Sequence, residues 1–207
     1  MPLLPAVRSV TSGLNTADML RFLIEERFPG KTVVTASLRS SSIVVLKMVA
    51  DIDPATPVVF CQVGSFFPDS QTYRDQIVAH LGLTNVTTST GSEPLVREKD
   101  CTHCERMWAE YEDRPGRSFE IIHLNDTLAP YDCWISAVYH TKRPAHVRDR
   151  VDKEGRLIWV DPLVRWSRDD VRAFMKEHGI PYHKRAYREK KRIAVDQDAE
   201  PVETWAF

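Results

Sequence analysis

The sequence predicts an α/β fold: a three-layer, Rossmann-like, mostly parallel sheet with helices on both faces. Three observations lead there. The runs "TVVTA" (Thr32–Ala36) and "TPVVFCQV" (Thr56–Val63) are short, rich in β-branched residues and nearly continuous in apolar character, as strands covered on both sides must be. The segments after them carry apolar residues at intervals of three and four, the period of a helix with one buried face. The order strand, helix, strand, helix, strand is the alternation that builds parallel sheets, because a parallel partner is reached only by a crossover.

In chain order, Asn15 or Thr16 caps a helix that carries Met19, Leu20, Leu23 and Ile24 on one face, and Pro29-Gly30 stops it. Thr32–Ala36 is the first strand, and Ile43 to Val49 lies in the helix that follows. Thr56–Val63 is the second strand. "DSQTYRDQIVAHLGL" (Asp69–Leu83) reads as a helix with an Asp cap, a stripe through Tyr73, Ile77 and Leu81, and a stop at Gly82. "NVTTST" (Asn85–Thr90) is a third, weaker strand. Beyond it the pattern predicts a helix around Arg106–Tyr111 and strands at "FEIIHL" (Phe119–Leu124), "CWISAVYH" (Cys133–His140) and "RLIWVDPL", the last ending at Pro162. "SRDDVRAFMKEHG" (Ser167–Gly179) is a well-signalled helix. Ser167 caps it, Asp169 and Asp170 favour its positive end, and Gly179 closes it. The expected organisation is an N-terminal helical segment (1–30), a central domain (31–187) and a charged C-terminal tail (188–207).

The 207 residues suffice for one sizeable core. Lys plus Arg is 28 and Asp plus Glu is 29, so there is no overall basic footprint for nucleic acid. A local basic run, "HKRAYREKKR" (His183–Arg192), is the exception. No signal peptide and no bilayer-spanning apolar run is apparent, so no membrane role is expected and the cytoplasm is the expected compartment. There the four cysteines, Cys61, Cys101, Cys104 and Cys133, favour metal or redox roles over structural disulfides.

Ligands of such sheets bind at the carboxyl ends of strands, beside helix N-termini. The turn after the first strand is "SLRSSS" (Ser37–Ser42). Its free amides and the helix dipole attract an anion. Ser37, Ser40, Ser41 and Ser42 add hydroxyls, and Arg39 adds a planar fork suited to phosphate or sulfate. Read alone, the same stretch is also an ordinary Ser-rich helix start with one solvated Arg.

Two further segments, "QVGSFFPDSQTYRDQI" and "VDPLVRWSRDDVRAFMKEHGIPYH", lie in the same order as in a known family. Together with the loop they resemble the phosphoadenosine-phosphosulfate (PAPS) reductase family of the PP-loop superfamily, over roughly Thr32 to Tyr187. The resemblance implies an adenine-nucleotide site, with Ser37 to Ser42 on the phosphates and Gly64 to Pro68, including Phe67, near the adenosine. It also implies a thioredoxin-like reductant as partner. Lys142 and Arg143 would supply positive charge to the phosphate or sulfate. So would His183 and Arg185, because the family's C-terminal segment folds over the site.

The sequence departs from the family at several of these positions. Leu38 and Arg39 stand where ATP-using relatives place glycines, and Ser40 where they place Lys. A Cβ there hinders backbone approach to a pyrophosphate, which speaks against ATP chemistry. Gln62 and Val63 replace an Asp-Thr pair. Ala137, Tyr139 and His140 stand where relatives carry Gly and an Arg pair. The reductases attack with a cysteine thiolate near their C-terminus, and residues 134–207 here contain no cysteine.

That leaves "DCTHCERM", which sets Cys101 and Cys104 in a CxxC spacing, with Cys133 later. Three readings stand open: an iron–sulfur cluster held by the three cysteines, zinc with His103, His123 or His140 as fourth ligand, or redox and free thiols, with Cys61 as a small core residue. Trp134, Trp159 and Trp166 read as core rather than stacking platforms. His178 reads as a helix C-terminal residue. The leading functional expectation is binding of an adenylyl sulfonucleotide or related adenine nucleotide, with sulfur redox or transfer chemistry. The alternatives are a PP-loop sulfur transferase that modifies a nucleic-acid base through an iron–sulfur cluster, and a catalytically silent nucleotide-sensing or protein-binding module. Oligomeric state is not legible.

Overall fold

The computed structural model describes residues 3–62, 68–90, 124–137 and 149–183. Two helices come first: α1 (Leu3–Thr11) and α2 (Thr16–Arg21), the latter running on through a wider π-type turn at Phe22–Arg27. Asn15 caps α2 by accepting the Asp18 N–H, and Gly30, at φ 66°, turns the chain into the sheet. Then follow β1 (Thr32–Ala36), α3 (Ser40–Ile52), β2 (Val58–Gln62), α4 (Pro68–Leu81) and β3 (Val86–Thr90). The later elements are α5 (Asn125–Leu128), β4 (Cys133–Ser136), β5 (Val151–Glu154), β6 (Leu157–Val160) and α6 (Arg168–Glu177).

The six strands form one sheet in the order β3-β2-β1-β4-β6-β5. Every pairing is parallel except the β5–β6 hairpin. This is the mostly parallel α/β sheet expected. The central strand β1 is buried along its whole length, which is why it can afford no polar face beyond two threonines. Val34 stands between Val58 of β2 and Ile135 of β4 in the registers of its two neighbours.

Strand alternation sorts the core into two layers. On one face Val34, Ala36, Phe60 and Ile135 pack with Leu20 and Leu23 of the N-terminal helix, Ile43 and Leu46 of α3, Ile77 of α4 and Met175 of α6. On the other, Val33, Val59, Trp134 and Trp159 pack with Leu124 and Leu128 at α5. Trp134 and Trp159 are therefore core residues. Trp134 also donates its indole N–H to Thr35 Oγ1 at 2.7 Å. Trp166, partly buried, donates to Thr16 Oγ1 at 3.1 Å and stacks edge-on with Phe174.

Several boundaries differ from the sequence reading. β5 is polar, "VDKE", and carries no apolar period, so it gives no strand signal. It exists because Gly155, at φ 57°, closes a tight hairpin onto β6. The strand expected up to Pro162 stops at Val160, since Pro162 has no N–H to donate to the ladder. The strand expected at Cys133–His140 covers Cys133–Ser136, and residues 138–140 lie outside the described residues. The helix at Arg106–Tyr111 and the strand at Phe119–Leu124 also fall outside them, apart from Leu124, which is the N-cap of α5. α6 follows its signals closely. Ser167 Oγ accepts the Asp170 N–H at 3.1 Å, Asp170 accepts the Ser167 N–H at 2.8 Å, and Gly179 adopts φ 60°. No helix among the described residues is long and apolar enough to cross a membrane.

Candidate functional site

β1 feeds α3 and then β2 on one side, whereas β4 returns on the other side of β1. The carboxyl ends of β1 and β4 are thus the topological switch point of the sheet, where such folds open a crevice for ligands. The turn Ser37–Arg39 and the first residues of α3 lie there.

The N-cap of α3 is Arg39, in extended conformation at φ −80° and ψ 149°, with no side-chain cap. An Arg side chain has no acceptor to offer, so it cannot cap as Ser or Asp would. The first bond of the helix is Ile43 N–H to the Arg39 carbonyl, at 3.0 Å. The N–H groups of Ser40, Ser41 and Ser42 have no partner among the described residues. They form the donor set of an uncapped helix start, with the positive end of the helix dipole behind it. Burial pulls the Arg39 guanidinium below its ordinary pKa, and a partly desolvated cation interacts more strongly with a nearby anion.

The four serines do not share one role. Ser42 is fully buried. Its hydroxyl donates to the Ala137 carbonyl, just beyond β4, at 2.5 Å. In turn it receives the Ser37 N–H at 3.1 Å and lies 3.0 Å from the Ser37 hydroxyl. The Arg39 N–H reaches Ser37 Oγ at 3.4 Å. Ser40 and Ser41 are half-buried and have no such ties. Ser42, expected among the groups on the phosphate, is engaged inside the protein in this structure. Sequence reasoning missed its partner because Ala137 is 95 residues away.

A second group lies on α4, which follows β2. Tyr73 donates its hydroxyl to the Pro181 carbonyl at 2.8 Å and meets the His183 ring edge-on at 4.9 Å between centroids. Ser70 Oγ lies 3.3 Å from His183 Nε2. The "GIPYH" segment after α6 is thereby pinned to the first half of α4. Neither Ser70 nor Tyr73 stood out as functional in the sequence, because Tyr73 reads as one position of an apolar stripe. His178 stacks on Phe174 at 4.1 Å and ends α6, as its position suggested.

The cysteines divide. Cys133 heads β4, opposite Thr32, at the amino end of the strands. Ser37 is five residues further along β1's direction, roughly 16 Å away at the rise of a strand. Cys133 is fully buried in the apolar core, and burial pushes its thiol up to about 12. That environment suits a small packing residue. The expected iron–sulfur or zinc site of Cys101, Cys104 and Cys133 has two of its members outside the described residues, and Cys133 itself sits in the apolar core. Cys61, half-buried against the second core layer, is likewise pushed up to about 12 by burial. Among the described residues no group of three His, Cys, Asp or Glu is placed to hold a metal. Gly64, Phe67, Cys101, Cys104, Lys142, Arg143 and Arg185 lie outside the described residues.

Comparison with known proteins gives the same frame. Residues 31–193 match the family profile described as the phosphoadenosine phosphosulfate reductase domain. Phosphoadenosine 5'-phosphosulfate reductase of Alkalilimnicola ehrlichii is 24% identical over 185 residues, covering 87% of this chain and 74% of that protein. Adenosine 5'-phosphosulfate reductase of Mesorhizobium japonicum is 25% identical over 168 residues, covering 81% of this chain and 65% of that protein. A crystal structure of phosphoadenylyl-sulfate (PAPS) reductase from Candida auris, a phosphate complex, superposes with a TM-score of 0.60 at 16% identity, over 87% of each chain. The sulfur-transferase and silent-module alternatives are not favoured by these likenesses. The chain belongs to the phosphoadenosine phosphosulfate reductase family.

Proposed function

We propose that the chain binds an adenylyl sulfonucleotide at the carboxyl ends of β1 and β4 and acts as a sulfonucleotide reductase. The observation that carries this reading is the uncapped start of α3. Three amides without partners among the described residues lie at the switch point, on or beside the half-buried Ser40 and Ser41 and the partly desolvated Arg39, inside the segment that matches the family. The set suits a tetrahedral anion on an adenosine. It lacks the Lys that ATP-using relatives place at Ser40, so discrimination against ATP belongs to the proposal.

The thiols for the reaction are assigned to Cys101 and Cys104, since Cys61 and Cys133 are held neutral by burial. A thiolate of the pair attacks the sulfate sulfur and releases the adenosine phosphate. The second thiol attacks the resulting S-sulfocysteine sulfur atom, releasing sulfite and closing a disulfide. A thioredoxin-like dithiol then reduces that disulfide, so two electrons enter for each sulfate reduced. Lys142, Arg143, His183 and Arg185 are assigned to the phosphate and sulfate groups, and Gly64 and Phe67 to the adenosine.

Calorimetric titration with adenosine 3',5'-bisphosphate and with ATP tests the binding. Heat with the bisphosphate and none with ATP is expected. Absence of bisphosphate binding, or equal affinity for both, overturns the site. Sulfite release from phosphoadenosine phosphosulfate or adenosine phosphosulfate, supported by thioredoxin and abolished by Cys101→Ser with Cys104→Ser, tests the chemistry separately.

A further inference from the structure

The hydroxyl protons in the β1–α3 turn can be placed by elimination. A carbonyl only accepts, so Ser42 Oγ–H must donate to Ala137. Ser42 Oγ then accepts from the Ser37 N–H and, through its other lone pair, from the Ser37 hydroxyl. With its own proton aimed inward, Ser37 Oγ accepts the Arg39 N–H. The result is a one-way chain, Arg39 N–H to Ser37 to Ser42 to Ala137, which crosses from the turn of β1 to the end of β4.

We propose that Ser42 is a positioning residue for the anion site: its buried hydroxyl ties the β1–α3 turn to β4 and turns Ser37 inward. Ser40, Ser41 and the three free amides are thereby left as the groups that meet the ligand. The inference rests on the proposed nucleotide site and divides its serines into two that aim and two that bind. A fully buried hydroxyl with all three bonding positions filled has no capacity left for a ligand. Its loss also frees the Ala137 carbonyl and removes the only acceptor of the Ser37 hydroxyl within the described chain.

A double-substitution cycle tests this, using Ser42→Ala and Ser41→Ala with adenosine 3',5'-bisphosphate as probe in calorimetry. Thermal unfolding of each variant is followed in parallel. In the intact turn, Ser41→Ala is expected to weaken binding about fivefold and Ser42→Ala about tenfold, the net scale of one ordinary hydrogen bond. In the Ser42→Ala background, Ser41→Ala should weaken binding less than twofold, because the turn no longer aims Ser41. Multiplicative penalties would make Ser42 a direct ligand and overturn the proposal. So would a lower melting temperature with wild-type affinity, which marks a purely structural role. If Ser42→Ala does not fold, Ser37→Ala enters the same cycle, with the same outcomes decisive. A wild-type protein that ignores the bisphosphate overturns the nucleotide site itself, a result distinct from any of these.

Discussion

The position of Cys133 yields the sharpest quantitative expectation. Treat the native protein at pH 8 with iodoacetamide, and follow each cysteine by peptide mass spectrometry. Alkylation proceeds through the thiolate. Burial moves the Cys133 thiol from an ordinary 9.0 to about 12, so below pH 9 it holds about a thousandth of the thiolate of an exposed cysteine. Its side chain is also fully buried, so the reagent must wait for an opening of the sheet. Native Cys133 should therefore react at least about a thousandfold more slowly than the same cysteine in denaturant. Denaturant-like reactivity in the native state would refute the core assignment. So would iron or zinc bound by the wild type and lost in Cys133→Ala at unchanged thermal stability, because a packing residue has no metal to lose.

Three further expectations concern stability. Native Cys61 and Cys133 keep their protons up to about 12, whereas in the unfolded chain they ionise from about 9.0. Between those values the native state binds more protons, so this contribution to stability is complete below pH 9 and is lost as pH rises toward 12. Urea unfolding across that range should show the decline, and Cys133→Ala should flatten it. Thr35→Val and Trp134→Phe each disrupt a buried bond of 2.7 Å and should each cost about 1–3 kcal/mol. The double variant should cost less than the sum by about 1 kcal/mol, and additivity within ~0.5 kcal/mol in equilibrium unfolding would show the two side chains to be independent. Tyr73→Phe removes the bond to Pro181 and should raise amide exchange at Tyr182 and His183; unchanged protection would mean that the apolar contacts alone hold this segment.

How much of this was legible beforehand depended on distance along the chain. α6 was readable because its signals are local: a Ser cap, an Asp three residues on, and a closing Gly all act within one or two turns. β1 and β2 were readable because strands inside the sheet are forced toward apolar composition, and β3, an edge strand, gave only the weaker signal of a β-branched run. β5 was not, since an edge strand paired on one side can be polar, and only its partner β6 reveals it. The same rule held at the candidate site. That the Ser37–Ser42 turn sits at a helix start was evident from composition. That Ser42 faces inward was not, because the carbonyl it seeks belongs to a strand far along the chain. Cys133 misled for a related reason. Spacing can put three sulfurs on one list, but only the sheet register shows that Cys133 heads β4, at the end of the sheet away from the Ser37–Ser42 turn.

The seam between α1 and β5 has a consequence for the order of assembly. Arg8 donates to the Val151 carbonyl at 2.8 Å, 143 positions away, and pairs with Asp149 and Asp152. Arg150 answers with bonds to the carbonyls of Thr11 and Leu14. On a ribosome, α1 is translated long before the hairpin that receives it. Until then its apolar side, with Val7 at the centre, has nowhere to rest. An early helix thus waits for a late strand, and a nascent chain stalled before residue 150 should be the form most in need of a chaperone.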